Sequence, residues 1–388
     1  MKFLIVDTYY EDFLRRFRAE RRGSEARPYS QQWRDLMDEC FGVADFYSAN
    51  LAKLGHDANE VVANCEWLQE QWAREHATTP AKRPWRAHWS ATIARGAAQR
   101  RAYEILMAQV RQYSPDVLHI QDMNGTNPGF LREARAHVGL ISGQISCPIS
   151  PGVDFSPYDL VLSSFPHFVN RFRRQGLSAH YFNLGFEPTV FSRVSRRRDR
   201  WKLVFVGGLT GLHTSRIDVL NTVAASHPLD VWGYGVSSLP HDAPVRRRHH
   251  GEAWGLDMYD IFHNADLVLN HHGEVAGDCA NNMRLYEATG SGALLITDRK
   301  ANLKHLFEPG REVVTYGSAA ECVELVAHYQ AHEAERAAIA RAGQRRTLRD
   351  HTYGRRMEEF VGLVKAEMDR RGRSSGPAGA AQWAREAR

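Results

Sequence analysis

The sequence lacks three features that would place it in common protein classes. None of its apolar runs approaches the roughly 20 residues that span a bilayer. Its five cysteines are odd in number and have no CxxC spacing, so we interpret them as reduced thiols. The chain passes directly from Met1 into "KFLIVD", which is typical of a strand and not of a signal peptide. We therefore expect a cytoplasmic protein without a transmembrane segment.

An excess of charge is also missing, because the net charge is only +5 over 388 residues. The basic residues nevertheless concentrate in "RVSRRRDR" (193–200) and "RRRHH" (246–250). Such clusters can contact nucleic acid, anionic lipid or a phosphorylated substrate. No aromatic residues alternate with these runs in the way that base-stacking surfaces require. We interpret both runs as solvated loops and expect no nucleic-acid partner.

Strand and helix patterns alternate along the chain twice, and the hydrophobic content of 43% can fill two cores. Apolar runs predict eleven strands, at 3–6, 60–63, 117–120, 140–145, 160–162, 180–184, 202–207, 229–233, 266–270, 293–298 and 312–316. Helical patterns cover 31–54, 85–113, 165–175, 214–225 and 319–331. This alternation predicts an α/β protein with two parallel sheets covered by helices.

The basic segment 193–200 separates the two series of alternating strands and helices. We therefore predict one Rossmann-like domain over 1–192 and a second over 193–352. A final helix at 353–370 carries an apolar face and must pack on another element. That face consists of Met357, Phe360, Val361, Val364 and Met368. The tail 371–388 is rich in Gly, Ser, Ala and charge, so we predict that it is disordered. Two doubly wound domains that face each other would bring their strand carboxyl ends into one cleft.

The stretch "NNMRLYEATGSGALLITD" (281–298) combines a short polar helix with a buried strand. We predict that the helix runs from Asn282 to about Thr289, that Asn281 or Asn282 caps it, and that Gly290 stops it. Arg284 and Glu287 are three residues apart and therefore share one face. Two interpretations are open, a solvent-exposed ion pair and a ligand site at the start of the helix.

The second half of the chain resembles the C-terminal domain of GT-B glycosyltransferases of the "group 1" type, and it looks most like their CgeB-like branch. The resemblance rests on the order and spacing of several motifs. These are "LVFVGGLTGLHTSRIDVL" (203–220), "DVWGYG" (230–235), "GLDMYDIFHNADLVLN" (255–270), the stretch 281–298 and "LKHLFEPGREVVTYGSAAECVELV" (303–326). In the first half only "PDVLHIQD" (115–122) and "LGFEPTVF" (184–191) resemble the family's elements. The resemblance implies the GT-B fold, with two facing doubly wound domains and a C-terminal helix that crosses back to the N-terminal domain.

The resemblance also implies a nucleotide-diphosphate sugar as donor and co-substrate, with no further cofactor. Glu287 occupies the position of the family's ribose-binding glutamate. The diphosphate requires positive charge and free N–H groups, which the turn after the 202–207 strand and the start of the 282–289 helix can supply. The implied donor-binding residues are Gly207, Gly208, Arg216, Tyr234, Gly235, Asp257, Met258, Asn282, Arg284 and Glu287.

Two departures from the family pattern bear on the chemistry. Retaining group 1 enzymes usually carry a glutamate eight positions before the ribose-binding one, where this chain has Cys279, with Asp278 and Glu274 as the nearest upstream carboxylates. Many retaining members also carry a histidine directly after the strand that corresponds to 117–120. This chain has Gln121 at that position. We expect retention, in which the departing phosphate takes the acceptor proton. Inversion would require a general base in the N-terminal domain. The candidate catalytic residues are Asp7, Gln121 and Asp122, while Tyr9 or Tyr10 can line the acceptor side and His119 is expected in the core.

No two aspartates have the Asp-x-Asp spacing that holds a divalent cation in GT-A glycosyltransferases, and the adjacent histidine pairs make poor chelates. We therefore expect a metal-independent glycosyltransferase with an acceptor that is a glycan, a small molecule or a protein. An inverting transferase or a nucleotide-sugar epimerase of the same fold is one alternative. A catalytically silent nucleotide-binding or scaffold protein is another.

Overall fold

The computed structural model describes residues 1–21, 23, 26–76, 91–198, 200–210 and 214–374. Its first half forms a six-stranded parallel sheet in the order β2-β1-β3-β4-β5-β6. These strands are β1 (Lys2–Asp7), β2 (Asp57–Val62), β3 (Val117–Ile120), β4 (Leu140–Gln144), β5 (Leu160–Ser163) and β6 (Ser178–Tyr181). Strands β3, β4 and β5 are buried along their whole length, because helices cover both faces of the sheet.

The second half forms a five-stranded parallel sheet in the order β11-β10-β9-β7-β8. Its strands are β7 (Trp201–Val206), β8 (Asp230–Trp232), β9 (Ala265–Asn270), β10 (Leu294–Asp298) and β11 (Val314–Tyr316). The order of this sheet changes direction at β7, so the carboxyl ends of β7 and β9 form the crevice in which doubly wound domains bind ligands.

Fourteen helices lie among the described residues and connect the strands of each sheet. They are α1 (Glu11–Glu20), α2 (Tyr29–Met37), α3 (Phe46–Lys53), α4 (Glu66–Glu75), α5 (Ala91–Tyr113), α6 (Pro128–Ala134), α7 (Pro166–Arg174), α8 (Thr214–Ser226), α9 (Leu256–His263), α10 (Arg284–Ser291), α11 (Leu303–Leu306), α12 (Ala319–Ala331), α13 (Glu333–Asp350) and α14 (Tyr353–Ser374). Within these described ranges, no helix combines the length and the apolar character needed to cross a membrane.

All eleven predicted strands are present, and the predicted α/β class is confirmed. The sixth strand lies slightly earlier than predicted, at β6 (Ser178–Tyr181). The single helix predicted over 31–54 is wrong, because α2 and α3 are separate helices. Between them, Cys40 and Ala44 adopt left-handed backbone conformations with φ of 53° and 40°. A right-handed helix cannot continue through such residues.

The predicted crossing of the last helix is confirmed, since α14 packs on the N-terminal domain, including α3. The Phe360 ring lies 5.8 Å from the ring of Phe3 and 4.8 Å from that of His119. The helix continues beyond the predicted end at residue 370 as far as Ser374, which corrects the first residues of the predicted tail. Residues 375–388 lie outside the described part. The domain limits of 192 and 352 stay a prediction, and the first of them falls between β6 and β7.

Candidate functional site

The carboxyl edges of the two sheets face each other across a cleft. Tyr10 follows β1 of the N-terminal sheet and remains 56% exposed. Its ring lies 6.2 Å from the ring of Tyr234 and 5.4 Å from that of Trp254, and both partners belong to the C-terminal domain. The rings of Tyr234 and Trp254 stack on each other at 5.8 Å. The cleft therefore has an aromatic wall built by both domains.

The glycines after β7 allow the backbone to approach this wall closely. A Cβ atom on Gly208 would lie 2.8 Å from Cζ of Tyr234. The amide of Leu209 donates to the carbonyl of Tyr234 at 2.8 Å, so the loops after β7 and β8 run side by side. Gly235 continues the second loop with a φ of +88°, a conformation that favours glycine. The predicted residues Gly207, Gly208, Tyr234 and Gly235 are thus brought together.

Two arginines converge on the end of β7. The Arg216 guanidinium donates to the carbonyls of Gly208 at 3.1 Å and of His271 at 3.0 Å. Arg284 Nε donates to the carbonyl of Val206 at 2.9 Å. Burial and, after it, the charge of Arg284 lower the pKa of Arg216, which shows that the two cations repel each other. Backbone carbonyls hold both side chains in place, so the two guanidinium groups can present N–H donors to an anion.

Glu287 forms the ion pair with Arg284 that the spacing on α10 predicts. The pair is not solvent-exposed as one interpretation assumed, because the side chain of Glu287 is only 2% exposed and that of Arg284 is 26% exposed. Burial raises the pKa of Glu287, and the charge and hydrogen bond of Arg284 oppose that rise. The glutamate therefore stands beside Arg284, where its charge also fixes the orientation of that side chain.

The predicted start of the helix at Asn282 and its predicted cap by Asn281 or Asn282 are wrong, because α10 begins at Arg284 and Met283 is its N-cap. Asn282 lies just before that cap. Its Oδ1 accepts from the amide of Leu285 at 3.3 Å, and its Nδ2 donates to Oδ1 of Asn270 at 2.8 Å. The predicted stop at Gly290 is wrong, because α10 ends at Ser291 and Gly292 caps it with a φ of 89°. Gly290 serves close packing instead, since a Cβ atom there would lie 2.5 Å from Cγ of Phe186.

The segment around Cys279 places a different carboxylate near the donor side. Oε1 of Glu274 accepts from the amide and the hydroxyl of Ser215, at 3.3 and 3.0 Å. A carboxylate therefore occupies the amino end of α8, which is an anion-binding position. Cys279 itself is a half-buried free thiol, and burial raises its pKa.

Two predicted donor residues lie apart from the arginine pair. Asp257, in the first turn of α9, forms an ion pair with Arg16 of the N-terminal domain. Met258 is 5% exposed and belongs to the hydrophobic core. The aromatic residue that borders the cleft in this region is Trp254, which sequence reasoning missed. The sequence offered one signal for Trp254, its place directly before Gly255, the glycine that precedes α9.

Two carboxylates of the N-terminal domain lie together at its carboxyl edge. The hydroxyl of Thr8 donates to Oδ2 of Asp122 at 2.9 Å, and the amide of Gly125 donates to Oδ1 at 2.9 Å. Burial raises the pKa of Asp7 to about 7, and the nearby charge of Asp122 adds to the rise. Burial raises the pKa of Tyr10, which follows Asp7 by three residues, and the charge of Asp7 adds to that rise.

The neighbouring residues of β3 have other surroundings. His119 is fully buried, as expected, where its Nδ1 lies 2.9 Å from the hydroxyl of Ser142. Burial lowers its pKa to about 3. Gln121 follows the strand, and its backbone amide donates to the carbonyl of Val6 at 2.9 Å. Its side-chain nitrogen is buried with no hydrogen-bond partner among the described residues.

The basic runs are occupied by ion pairs within the chain. Arg197 pairs with Asp260 at 2.5 Å, Arg200 with Asp266 at 2.8 Å and Arg248 with Asp230 at 2.9 Å. The described residues contain no group of three or more His, Cys, Asp or Glu side chains that could hold a metal ion.

Known proteins share this architecture. Residues 216–362, less than half of the chain, match the family model described as glycosyl transferase-like. The structure of HepE from Anabaena, solved in complex with UDP-glucose, matches with a TM-score of 0.56 at 11% identity, and the match covers 94% of this chain and 100% of that one. The chain has the GT-B fold. Two further GT-B structures agree with this assignment. AviGT4, a glycosyltransferase involved in avilamycin A biosynthesis, matches with a TM-score of 0.57 at 16% identity, over 95% of this chain and 98% of that one.

Sucrose-phosphate synthase of Thermosynechococcus elongatus also matches this GT-B chain, with a TM-score of 0.55 at 10% identity, over 94% of this chain and 98% of the other. No curated protein matches the sequence. The family model confirms the predicted enzyme class, a glycosyltransferase, for the domain that it covers. Membership of the CgeB-like branch stays a prediction.

Proposed function

We propose that this GT-B chain transfers a sugar from a UDP-sugar to an acceptor without a metal ion. The observation that carries the proposal is the pair of arginines at the end of β7. Arg216 donates to the carbonyl of Gly208 and Arg284 to that of Val206, so both guanidinium groups stand at the end of β7, where they would donate hydrogen bonds to a diphosphate. HepE, a neighbour with the same fold, has been solved with UDP-glucose. Arginines and helix amino ends can stabilise a leaving diphosphate without a cation.

The other donor residues complete the proposed site. Glu287 would accept hydrogen bonds from the two ribose hydroxyls, and the stacked rings of Tyr234 and Trp254 would contact the base. Asn282, which precedes α10 and donates to Asn270 at the end of β9, would orient the phosphates or the sugar. The acceptor would enter from the N-terminal side, past Tyr10.

Calorimetry with UDP tests the proposal. Arg216→Met should weaken UDP binding at least about tenfold, which corresponds to ~1.4 kcal/mol. Arg132→Met removes an exposed arginine of the N-terminal domain and should leave the affinity unchanged. EDTA should not alter UDP binding, and a loss of binding in EDTA would contradict the metal-free site. Release of UDP from UDP-glucose then tests transfer or hydrolysis. UDP binding without any turnover of UDP-sugars would favour the silent binding protein instead.

The acidic pair supports inversion as a second candidate beside the retention expected from the resemblance. With a pKa of about 7, Asp7 can take a proton from an acceptor hydroxyl near neutral pH. The hydroxyl oxygen would then attack the anomeric carbon, and the bond to UDP would break with its electron pair on the phosphate. In retention the departing phosphate would take that proton. The anomeric configuration of the product, measured by NMR, distinguishes the two outcomes.

A further inference from the structure

A second cavity lies at the open edge of the N-terminal sheet, away from the cleft. It has a volume of about 470 Å³ and is bounded by β1, the edge strand β2, and the helices α2, α4 and α5. Four aromatic residues line it, and polar side chains surround them. The aromatic residues are Tyr29, Trp33, Trp72 and Tyr113. Among the polar lining residues, Asn59 and Gln112 are exposed, whereas Glu60 and Gln109 are buried.

Gln109 is the exceptional member of this lining. Its side chain is 4% exposed, yet neither its amide oxygen nor its amide nitrogen has a hydrogen-bond partner among the described residues. The side chain of Glu60 faces α3 instead, where its Oε1 accepts from the amide of Ser48 at 3.1 Å, so Glu60 borders the cavity through its backbone. A buried polar atom that lacks a hydrogen-bond partner destabilises the fold. The two amide atoms of Gln109 therefore require an explanation.

The chemistry of the cavity selects the ligand class. A side-chain amide offers one acceptor and one donor group side by side, which matches two neighbouring hydroxyls on a ring. Aromatic side chains offer flat apolar surface to the C–H face of such a ring. The buried polar group of the lining, the amide of Gln109, carries no charge, so the buried part of the site suits an uncharged ligand.

The backbone of the edge strand is not free to bind an added strand. The indole of Trp33 donates to the carbonyl of Glu60 at 2.9 Å, and the side chain of Gln69 donates to the carbonyl of Val62 at 3.0 Å. Extended peptides bind sheet edges through such backbone groups. The cavity is therefore suited to a compact polyhydroxylated ring.

We propose that this cavity binds one neutral saccharide unit, with Gln109 hydrogen-bonded to two adjacent hydroxyls. The site itself is independent of the cleft. Its use as an anchor for a saccharide acceptor or product rests on the proposed function, because a glycosyltransferase would gain from holding its acceptor there. The proposal adds a second carbohydrate contact on the N-terminal domain.

Saturation-transfer NMR and titration with methyl glycosides of glucose, galactose and N-acetylglucosamine test the site. At least one of these should bind the intact chain at millimolar concentration. Gln109→Leu keeps the side-chain size and removes both unpartnered atoms, so it should weaken this binding at least about tenfold while the melting temperature stays the same or rises. Gln175→Leu, the same change at an exposed residue that follows α7, should alter neither property.

Three outcomes would overturn the proposal. They are the absence of binding by the intact chain for all three glycosides, binding that Gln109→Leu does not weaken, and binding that UDP displaces, which would locate the sugar in the cleft. UDP affinity measured on the same variants keeps the two proposals apart. Retained UDP affinity with lost saccharide binding in Gln109→Leu supports the cavity. Saccharide binding by a chain that fails to bind UDP would contradict the proposed function alone.

Discussion

Glu287 combines two tasks that a single substitution will disturb together. It is buried beside Arg284, and it also stands where a ribose-binding carboxylate is expected. Removing one partner of a buried ion pair leaves the other charge without compensation, which typically costs about 3–5 kcal/mol. A loss of stability therefore cannot by itself demonstrate a role in binding. Donor affinity has to be measured beside it, on a variant whose structural effect is matched.

Glu287→Gln should lower UDP affinity at least about tenfold, or ~1.4 kcal/mol, because the neutral amide is a weaker acceptor for the two ribose hydroxyls. Its melting temperature should also fall. Glu367→Gln is the matched control, since Glu367 is 4% exposed and pairs with Arg370 at the same three-residue spacing, on α14. This control should lose stability and keep its UDP affinity. Equal UDP affinities for the intact chain and Glu287→Gln would remove Glu287 from the site.

Asp7 should make the stability of the protein depend on pH. Its pKa rises from an ordinary 3.8 to about 7, so the folded state keeps a proton that the unfolded chain releases. Stability therefore falls as pH rises from about 4 to 7 and is level above that range. Asp7→Asn should flatten this fall by about 1 kcal/mol or more between pH 5 and pH 8 in urea denaturation. Asp12→Asn, at an exposed site on α1, should keep the slope of the intact chain. An unchanged slope in Asp7→Asn would show that Asp7 titrates normally.

Helix α10 fits against the N-terminal half through a glycine. A Cβ atom on Gly290 would lie 2.5 Å from Cγ and 2.6 Å from Cδ2 of Phe186, a ring that is fully buried. Phe186 is itself held by backbone hydrogen bonds to His351 and Tyr353. The ring therefore has little freedom to move away from an added methyl group.

Gly290→Ala should destabilise the protein by about 1–3 kcal/mol, the usual cost of overpacking a core. Gly362→Ala provides the contrast, because this glycine lies within α14 with no atom within 4 Å of an added Cβ. There the same change should stabilise the protein by about 0.5–1 kcal/mol, since alanine favours the helix. Thermal unfolding of both variants measures the difference. A stabilising effect at Gly290 would mean that the contact with Phe186 relaxes freely.

The elements differ in how well the sequence predicts them, and the reason is physical. Strands β5 and β10 begin with continuous apolar runs, a pattern that is typical of strands buried on both faces. The break between α2 and α3 had one signal in the sequence, Gly42, whose φ of 61° favours glycine. Cys40 and Ala44 hold left-handed conformations beside it, and neither residue type signals a turn. The end of α10 was misplaced because Gly290 and Gly292 look alike in sequence, and only the position of Phe186 separates packing from capping.

The residues of the site also differ in how well the sequence predicts their positions. Residues that follow strands directly, such as Gly208 and Tyr234, could be placed from the sequence, because parallel strands end at one edge. The sequence could not show that Trp254 borders the cleft whereas Asp257 does not. Asp257 pairs with Arg16, which is 241 residues away in the chain, and Trp254 packs on Tyr10 of the N-terminal domain. Contacts between domains leave no local pattern in the sequence.

The whole molecule is held together by contacts on two sides of the cleft. Near the aromatic wall, the amide of Leu256 donates to the carbonyl of Glu39 at 2.8 Å, and Arg193 donates to the carbonyl of Asp38 at 2.8 Å. On the other side, α14 returns to the N-terminal domain, where Arg356 Nε donates to the carbonyl of Leu184 at 3.0 Å. The two domains are thus connected by backbone hydrogen bonds as well as by packing.

Removal of the last helix tests how far this assembly depends on the crossing. Met357, Phe360 and Val364 are fully buried, and burying each such side chain contributes about 1.5–3 kcal/mol. Their sum is comparable to the 5–15 kcal/mol that stabilises a typical domain. A chain that ends after Asp350 should therefore melt far below the intact protein or fail to fold, whereas a chain that ends after Arg373 should melt at the same temperature as the intact protein.

Phe360→Ala examines the same contact in a chain that can still fold. This variant opens a cavity between α14 and the rings of Phe3 and His119, so it should cost about 3–5 kcal/mol. Glu358→Ala changes an exposed residue of the same helix and should stay within about 0.5 kcal/mol of the intact chain. Urea denaturation of both variants gives the comparison. Similar stabilities for Phe360→Ala and Glu358→Ala, or equal melting temperatures for the intact chain and residues 1–350, would mean that the N-terminal domain is stable without the helix. In that case the crossing would serve only to align the two halves of the cleft.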